Sequence, residues 1–365
     1  MKRRKACARN VWVCVLWAAL MAAIGIAHAD QTAPKRQADK PKAAEAAYTY
    51  TGPHTHKNLT VFLIRGPDRL KDPKILTLEE GLAQKTVAVY ETGNVNQLII
   101  QNNSDVSVYI QSGDIVKGGK QDRCFGSDAL LPPKSEKIKI QTFCVEQGRW
   151  SRRGAEAPQH FLAGNNNLSG KDLKLAVNIT GSQSGVWENV RKQQNDLGEN
   201  VGRLAAGDTG AATQPADVQD AASPTSLQLT LENKKLNEAV GEYEKALAGI
   251  LKDTKDVIGL AFAVNGEFSG VEVYGSGKLF GKLFPKLLKA AAVEAIAEFD
   301  KDKRVKTPTV ADLEACIADA RKGKATEKTG PAGVRTRIKQ AKHNSYIGNW
   351  SASGQPLRDS YLLNH

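Results

Sequence analysis

A single turn signal late in the chain constrains the fold more than any other feature. Two apolar, β-prone runs, "VIGLAFAV" and "EFSGVEVY", flank Asn265 and Gly266. This dipeptide is the one favoured at the centre of a type I′ β-hairpin turn. The spacing therefore predicts two antiparallel strands in the second half of the chain, with Asn265 and Gly266 at the tip.

Runs of β-branched residues punctuated by Gly, Asn and Asp dominate the first half of the chain. They predict strands in "LTVFLIR", "TVAVYET", "NQLIIQNN" and "VSVYIQSGDIV", and an alternating strand from Lys137 to Val145. Thr77 and Glu80 have the spacing of a capping box, which predicts a short helix between strands. The segment after Trp150, up to about residue 171, is long and polar and is predicted to be a loop.

Helical periodicity follows in "SGVWENVRKQQNDLGENVGRL" and in "LNEAVGEYEKALAGIL". The low-complexity residues between them, about 206–224, predict an exposed linker. A later helical stretch contains Pro285, which indicates either a kink or the start of a new helix. Thr309 and Asp312 predict another capped helix. The fold class is therefore α+β, with a β-rich N-terminal half packed against a helical C-terminal half that carries the β-hairpin.

The first 29 residues have the pattern of a secretory signal peptide. A basic start precedes an apolar run from Val11 to Ile26, and Ala27 and Ala29 supply the small residues at the cleavage site. Cleavage after Ala29 would export the protein to the periplasm or the extracellular space. The alternative is an uncleaved anchor, although the apolar run is shorter than a full membrane span.

Residues 30–50 are polar and rich in Ala, Pro and Lys, which is typical of a flexible leader. Residues 51–365 remain as a single compact domain, with two closely associated lobes as the alternative. No later stretch is apolar enough to span a membrane, so the mature form is not expected to do so. The sequence identifies neither a cofactor nor a protein partner.

The formal charge of +12 includes five basic residues within positions 2–9, so a chain cleaved after Ala29 carries +7. Basic residues are spread along the sequence and mixed with Asp and Glu, which indicates a solvated surface. Neither a recognition motif nor aromatic stacking positions accompany the charge, and no nucleic-acid partner is expected.

Three of the five cysteines lie beyond the predicted signal peptide: Cys124, Cys144 and Cys316. An oxidising compartment permits a disulfide. Cys124 and Cys144 are the predicted pair, because the segment between them reads as strand, turn and strand. The sequence contains no CxxC motif or Cys/His cluster, so no metal site is predicted.

The segment "GGKQDR" is a candidate ligand cradle. Adjacent glycines, Gly118 and Gly119, permit positive φ and a concave row of backbone N–H groups suited to an anion. Charge and hydrogen bonds to a ligand would come from the side chains that follow, Lys120, Gln121, Asp122 and Arg123. The alternative is a charged turn in which Asp122 and Arg123 pair with each other.

The segment "CVEQGRW" forms a second cluster at the end of the Lys137–Val145 strand. Trp150 offers a stacking face, Arg149 a fork for phosphate or carboxylate, and Glu146 a general acid/base. The alternative is a cap on the sheet edge. The two motifs flank one strand-turn-strand unit and are expected to meet, with Arg123 close enough to contact Glu146 and with Cys124 facing or neighbouring Cys144.

The two motifs, in their order along the chain and followed by "VIGLAFAVNGEFSGVEVYGS", resemble the ARG and rhodanese-phosphatase-superfamily-associated protein domain, a poorly characterised family. The resemblance runs from about Leu59 to the C-terminus. The family's association with ADP-ribosylglycohydrolase and phosphatase-like domains implies a ligand related to ADP-ribose or to another phosphorylated nucleotide.

Three functions follow as alternatives. The first is an exported module that binds a small anionic, nucleotide- or ADP-ribose-related ligand through both motifs. The second is a hydrolase in which Asp122 or Glu146 acts as general acid/base while Arg123 steadies the leaving group. The third is a structural envelope protein in which the charged motifs hold strand ends together.

Overall fold

One large antiparallel sheet is built around the predicted hairpin. In the computed structural model, which describes residues 48–71, 74–206, 214–252, 256–300, 302–303 and 306–364, β12 (Val257–Val264) pairs with β13 (Glu267–Tyr274). Asn265 and Gly266 have φ values of 51° and 84°, as a type I′ turn requires. The predicted hairpin is confirmed.

The hairpin lies inside an eight-stranded sheet of order β1-β2-β12-β13-β17-β16-β15-β14. Its other members are β1 (Thr49–His56), β2 (Leu59–Arg65), β14 (Lys324–Thr329), β15 (Arg335–Gln340), β16 (Asn344–Trp350) and β17 (Pro356–Leu363). The first two of these come from the N-terminal half, so the halves of the chain share this sheet. The strand predicted at "LTVFLIR" is confirmed as β2.

Two smaller sheets use strands from the first half of the chain. The six-stranded sheet has the order β11-β7-β8-β10-β5-β4 and the three-stranded sheet has the order β3-β6-β9. Their strands are β3 (Ile75–Thr77), β4 (Val87–Glu91), β5 (Gln97–Asn102), β6 (Ser107–Ile110), β7 (Asp114–Gly118), β8 (Arg123–Phe125), β9 (Ala129–Leu131), β10 (Ile138–Cys144) and β11 (Phe161–Leu168).

Most of the helical residues follow β11, which confirms the predicted α+β class. The α-helices are α1 (Leu78–Ala83), α2 (Lys171–Leu175), α3 (Gln183–Ala206), α4 (Leu227–Glu232), α5 (Lys234–Leu247), α6 (Gly277–Ala297) and α7 (Val310–Ala320). A π-helical turn at Ala176–Thr180 extends α2, and short 3₁₀ segments occur at Ala248–Leu251 and Pro331–Gly333.

The capping signals give the expected helix starts. Thr77 and Glu80 form a reciprocal capping box at α1, and Thr309 and Asp312 form another at α7. Pro285 lies inside α6, which is one helix from Gly277 to Ala297. The alternative of a new helix starting at Pro285 is therefore excluded.

Two segments differ from their predicted loop structure. The polar stretch after Trp150 contains β11, which pairs with β7 from Phe161 to Ala163 and then passes through an irregularity to Leu168. In the stretch predicted as an exposed linker, residues 207–213 lie outside the described residues, while Val218 and Ser223 are buried. Both segments are polar in composition but are held by contacts with distant strands and helices.

The described residues form one compact unit. Residues 1–47, which include the predicted signal peptide and most of the predicted leader, lie outside the described part of the chain. Thr49 and Tyr50, at the end of the range predicted as leader, already belong to β1. No helix within the described ranges combines the length and apolar character needed to cross a bilayer.

A buried ion network joins the eight-stranded sheet to the three-stranded sheet. Arg358 in β17 donates to Asp128 through Nε and Nη2 at 3.0 and 2.7 Å, and to Glu272 in β13 through Nη1 at 2.9 Å. Asp128 also accepts from the Tyr109 hydroxyl at 2.6 Å, and Glu272 accepts from Lys174 Nζ at 2.8 Å. Burial opposes ionisation of Glu272, but Lys174 and Arg358 outweigh it and lower the pKa of that carboxyl group.

Candidate functional site

The GGKQDR and EQGRW segments meet at one end of the six-stranded sheet. β8 and β10 pair antiparallel with Arg123 opposite Cys144, so the residues before β8 lie beside those after β10. The Asp122 backbone N–H donates to Glu146 Oε2 at 2.8 Å, and Gln121 Nε2 donates to the Glu146 carbonyl at 2.8 Å. The predicted convergence of the motifs is confirmed.

Both glycines of the turn adopt conformations that a larger residue would strain. Gly118 and Gly119 have φ values of 123° and 54°. A Cβ atom on Gly119 would lie 2.3 Å from the Phe161 ring, and one on Gly118 would lie 2.9 Å from the His160 carbonyl oxygen. Glycine is therefore needed so that the turn can pack against β11.

Three backbone N–H groups of the turn donate to carboxylates of the protein itself, and the Gly119 N–H donates to the His160 carbonyl at 3.2 Å. The Gly118 N–H donates to Asp122 Oδ1 at 2.9 Å, and the Lys120 N–H donates to Glu91 Oε2 at 3.2 Å. The Asp122 N–H is bound by Glu146, as described above. The cradle that the sequence predicts for an external anion is thus occupied by internal ones.

Two arginines neutralise the Asp122 and Glu146 carboxylates. Arg149 donates from Nε and Nη2 to the two Glu146 oxygens at 2.5 and 2.6 Å. Arg153 donates from Nη1 and Nη2 to the two Asp122 oxygens at 2.9 and 3.0 Å, and Nη1 also reaches Glu146 Oε1 at 3.0 Å. The carboxylates are 0% exposed and the arginines 9% and 6%. We call these four residues the Asp122–Glu146 network.

Two serines also donate hydrogen bonds to the carboxylates of the Asp122–Glu146 network. Ser223 Oγ donates to Glu146 Oε1 at 2.5 Å, and Ser226 Oγ donates to Asp122 Oδ2 at 2.7 Å. Ser226 is also the N-cap of α4, where its Oγ accepts from the Leu229 N–H. Sequence reasoning missed Arg153 and both serines. A serine just before an apolar helical run is a capping signal for Ser226.

The pKa shifts of the two carboxyl groups have opposite directions. Burial raises the pKa of Asp122, and the hydrogen bonds from Arg153 offset only part of that effect. Burial also opposes ionisation of Glu146, but hydrogen bonds from Arg149, Ser223 and the Asp122 N–H hold its pKa below the usual value. Glu146 is therefore the more firmly ionised member of the pair.

Hydrogen bonds use the acceptor capacity of both carboxylates. Asp122 accepts from the Gly118 N–H, Ser226 and Arg153, and Glu146 accepts from the five donor atoms given above. A carboxylate offers about four lone-pair sites. General acid/base catalysis requires a group within hydrogen-bond reach of the reacting proton, and this arrangement leaves little capacity for an incoming water.

Arg123 has different partners from those predicted. Its Nη1 donates to the Gln121 carbonyl at 2.9 Å, and its Nη2 lies 3.6 Å from Glu91 Oε2. The predicted contact between Arg123 and Glu146 is wrong within the described structure, because the chain after β10 folds back and brings Arg149 and Arg153 onto that carboxylate. Arg123 Nε and Nη2 have no hydrogen-bond partner in the described part of the chain, although the side chain is 0% exposed.

Trp150 covers Arg123 and is itself half open to solvent. The centre of its ring lies 5.7 Å from Arg123 Cζ and 4.9 Å from Lys120 Nζ. The side chain is 46% exposed, which is unusual for so large an apolar group. We call Lys120, Arg123 and Trp150 together the Trp150 surface.

The predicted disulfide is absent. Cys124, Cys144 and Cys316 are free thiols. The register of β8 and β10 places Phe143 opposite Cys124 and Arg123 opposite Cys144, so the two thiols point to opposite faces of the sheet. Burial raises the pKa of Cys124 to about 12, which makes this thiol unreactive.

Metal-ligand side chains do not cluster in the described ranges. No group of three or more His, Cys, Asp and Glu residues there has an arrangement that would hold a metal ion.

Comparison with protein families matches residues 47–355 to the ARG and Rhodanese-Phosphatase-superfamily-associated Protein domain. The matched range contains every residue of the Asp122–Glu146 network and of the Trp150 surface. Neither a curated protein nor a solved structure matches the chain.

Proposed function

Since the chain belongs to the ARG and Rhodanese-Phosphatase-superfamily-associated Protein domain family, we propose that it binds a small anionic ligand at the Trp150 surface. The proposed ligand class is a phosphorylated nucleotide or an ADP-ribose-related compound. Its anionic group would pair with Lys120 and Arg123, and its planar base would stack on Trp150.

The observation that carries this proposal is the unsatisfied guanidinium of Arg123. A buried polar atom without a hydrogen bond costs about 1–3 kcal/mol, and more when the group is charged. Arg123 Nε and Nη2 lack hydrogen bonds, and the only charged partner of Nη2 among the described ion pairs is Glu91, at 3.6 Å. Burial also lowers the pKa of the guanidinium. A phosphate placed beside Nε and Nη2 would supply the missing acceptors in the paired geometry that arginine favours.

The position of Trp150 supports the same location. It follows β10 in an irregular segment, and its ring is held over two cations by contacts of 4.9 and 5.7 Å. Cation–π contacts contribute about 0.5–1 kcal/mol at exposed sites such as Lys120 and about 2 kcal/mol when the cation is desolvated, as the buried Arg123 is. A ligand that moves the ring off Arg123 must replace that contact, which an anionic group beside the guanidinium would do, and the displaced ring would offer a stacking face to a base.

The Asp122–Glu146 network supports a structural role beside the binding surface. Its residues join the turn before β8 to the segment after β10, and the hydrogen bond from Ser226 to Asp122 joins both to the start of α4. This arrangement favours the binding alternative over hydrolysis by Asp122 or Glu146, because both carboxylates are buried and surrounded by donors. In this proposal the Asp122–Glu146 network holds the turn in place, and the Trp150 surface contacts the ligand.

Export remains part of the proposal. Residues 1–29 combine a basic start, an apolar run and small residues before the predicted cleavage site. We expect the protein recovered from the periplasm or the medium to begin at Asp30, which N-terminal sequencing measures directly. A full-length chain beginning at Met1 and held in the membrane fraction would instead support the uncleaved anchor.

The binding proposal is tested by thermal shift and calorimetry with ADP-ribose, ADP and pyrophosphate as probes. A probe that binds only the folded state raises the melting temperature by mass action. We expect Lys120→Gln and Trp150→Ala each to weaken binding by about 10-fold or more, because each removes a direct contact. Arg123→Lys keeps the positive charge and loses the guanidinium fork, so binding is expected to weaken even where folding is preserved.

Lys137→Gln is the matched control, because Lys137 lies 4.8 Å from the Tyr90 ring in a similar cation–π contact. It is expected to bind as the unmodified protein does. Absence of any probe-dependent shift, or equal affinity in the Lys120 and Lys137 variants, would contradict the proposal. Turnover of ADP-ribose that disappears in a folded Glu146→Gln variant would favour the hydrolase alternative.

A further inference from the structure

The net positive charge of the chain is concentrated in one segment. The sequence contains 51 basic and 39 acidic residues, of which five basic residues lie within positions 2–9. Residues 321–342 contain eight basic residues and one acidic residue. The rest of the chain then holds 38 basic and 38 acidic residues, which cancel. Apart from the extreme N-terminus, the imbalance therefore belongs to 22 residues.

Residues 324–340 of this segment form the outermost hairpin of the large sheet, and we call the whole segment 321–342 the basic hairpin. It contains β14 and β15, and β14 is the last strand in the sheet order. All six residues of β14 are exposed. Arg335 and Lys342 are exposed as well, so much of the charge faces solvent. The acidic member, Glu327, is already paired with Arg337 at 2.7 Å.

The cations lie on both faces of the hairpin. Arg335, Arg337 and Lys339 alternate along β15 and so share one face, about 6.5 Å apart from one to the next. Lys324 and Lys328 are opposite Gln340 and Thr336 and therefore belong to the other face. Lysines on an edge strand commonly prevent pairing with other chains. That role does not account for the three cations of β15, which is an interior strand.

We propose that the basic hairpin docks the protein on the anionic headgroups of a phospholipid bilayer. The charge is spread over both faces and the exposed outer strand of the hairpin, which suits a broad anionic surface. Each Lys or Arg near such a surface contributes about 1 kcal/mol to attraction.

A single-stranded nucleic acid fits the hairpin less well. Such a partner needs free aromatic faces on which bases stack. The Trp350 ring is partly buried against the core of the large sheet, unlike the exposed Trp150, and the Arg337 guanidinium lies over it with 5.5 Å between Arg337 Cζ and the ring centre. The basic hairpin therefore offers positive charge but no free aromatic face. This favours phospholipid headgroups, which are recognised through their phosphate groups, over a nucleic acid whose bases must stack.

The test measures sedimentation of the whole chain with vesicles of equal parts phosphatidylglycerol and phosphatidylcholine. The variant Lys324→Gln/Lys328→Gln/Arg335→Gln/Lys342→Gln removes four exposed cations from the basic hairpin. We expect its partition onto these vesicles to fall by roughly 100-fold or more. Binding by the unmodified chain is expected to weaken strongly at high salt, because salt screens exposed charges.

The matched control is Lys85→Gln/Lys139→Gln/Lys234→Gln/Lys245→Gln, which removes four exposed lysines from other parts of the molecule. It is expected to bind the vesicles as the unmodified chain does, because its basic hairpin is unchanged. Residues 1–29 are the same in every variant, so they contribute equally to each measurement. Equal losses in the two quadruple variants would overturn the proposal by showing that net charge alone matters. Tighter binding of the hairpin to a single-stranded oligonucleotide than to the vesicles would also overturn it.

Discussion

Replacing Arg153 by methionine is expected to destabilise the folded protein by about 3–5 kcal/mol, the cost of removing one partner from a buried ion pair. Asp122 would lose its hydrogen bonds from Arg153 Nη1 and Nη2, at 2.9 and 3.0 Å, and Glu146 would lose its hydrogen bond from Arg153 Nη1. Glu156, which accepts from Arg153 Nε and Nη2, would lose both of these hydrogen bonds and keep its longer ion pair with Lys117, whose Nζ lies 4.0 Å away. Methionine fills much of the space of the arginine stem, so the effect measures the missing charge.

Arg152→Met is the matched control for Arg153→Met. The two arginines are adjacent, but Arg152 is exposed while Arg153 is buried. Substitutions at exposed positions are usually within about 0.5 kcal/mol of neutral. Urea unfolding of both variants compares the two changes directly, and equal midpoints would show that the Asp122–Glu146 network does not stabilise the protein.

Replacing Arg358 by methionine is expected to have an effect of similar size, about 3–5 kcal/mol, at the junction of two sheets. Arg358 is 1% exposed and donates to Asp128 and Glu272, which are 0% and 1% exposed. Lys174 would remain beside Glu272, but Asp128 would keep only neutral donors, including the Tyr109 hydroxyl. An uncompensated carboxylate would then be buried between the two sheets.

The control for Arg358→Met is Arg335→Met, an exposed position on the same large sheet. Its free energy of unfolding is expected to stay within about 0.5 kcal/mol of the unmodified value. Denaturant unfolding followed by tryptophan fluorescence and by circular dichroism supplies the measurement. A loss below about 1 kcal/mol for Arg358→Met would mean that the buried ions have relaxed to new partners, contrary to this prediction.

Sequence reasoning predicted the elements that depend on local signals. Asn265 and Gly266 specify their turn through backbone conformations that few other residues adopt. Thr77 and Glu80 cap α1 within a single turn of helix. Features of this kind need no information from distant parts of the chain, and both were predicted correctly.

Elements that depend on distant partners were missed. β11 reads "FLAGNNNL", in which Gly and three consecutive Asn residues hide any alternation of apolar and polar side chains. It becomes a strand because β7 supplies hydrogen bonds from Phe161 to Ala163. The disulfide prediction was wrong for a related reason: the sequence indicated that β8 and β10 pair, but it did not specify the register that separates Cys124 from Cys144.

The candidate site shows the same division. The motifs at Gly118 and Glu146 were recognised from glycines and charges close together in sequence, and they do meet. Nothing local distinguishes Arg153 from Arg152, since one is buried and the other exposed only after the chain folds back over β10. Ser223 was missed because its low-complexity surroundings indicated a solvent-exposed linker.

The shared sheet has a consequence for the order in which the chain acquires structure. β2 pairs with β12 from Leu59 opposite Val264, about 200 residues later in the chain. Contacts of such long range slow folding, because a large loop must close before they form. While the ribosome is still producing the first half, β2 has no partner on that side. A nascent chain of this protein therefore stays incompletely folded until its second half emerges, a state compatible with passage through a translocation channel.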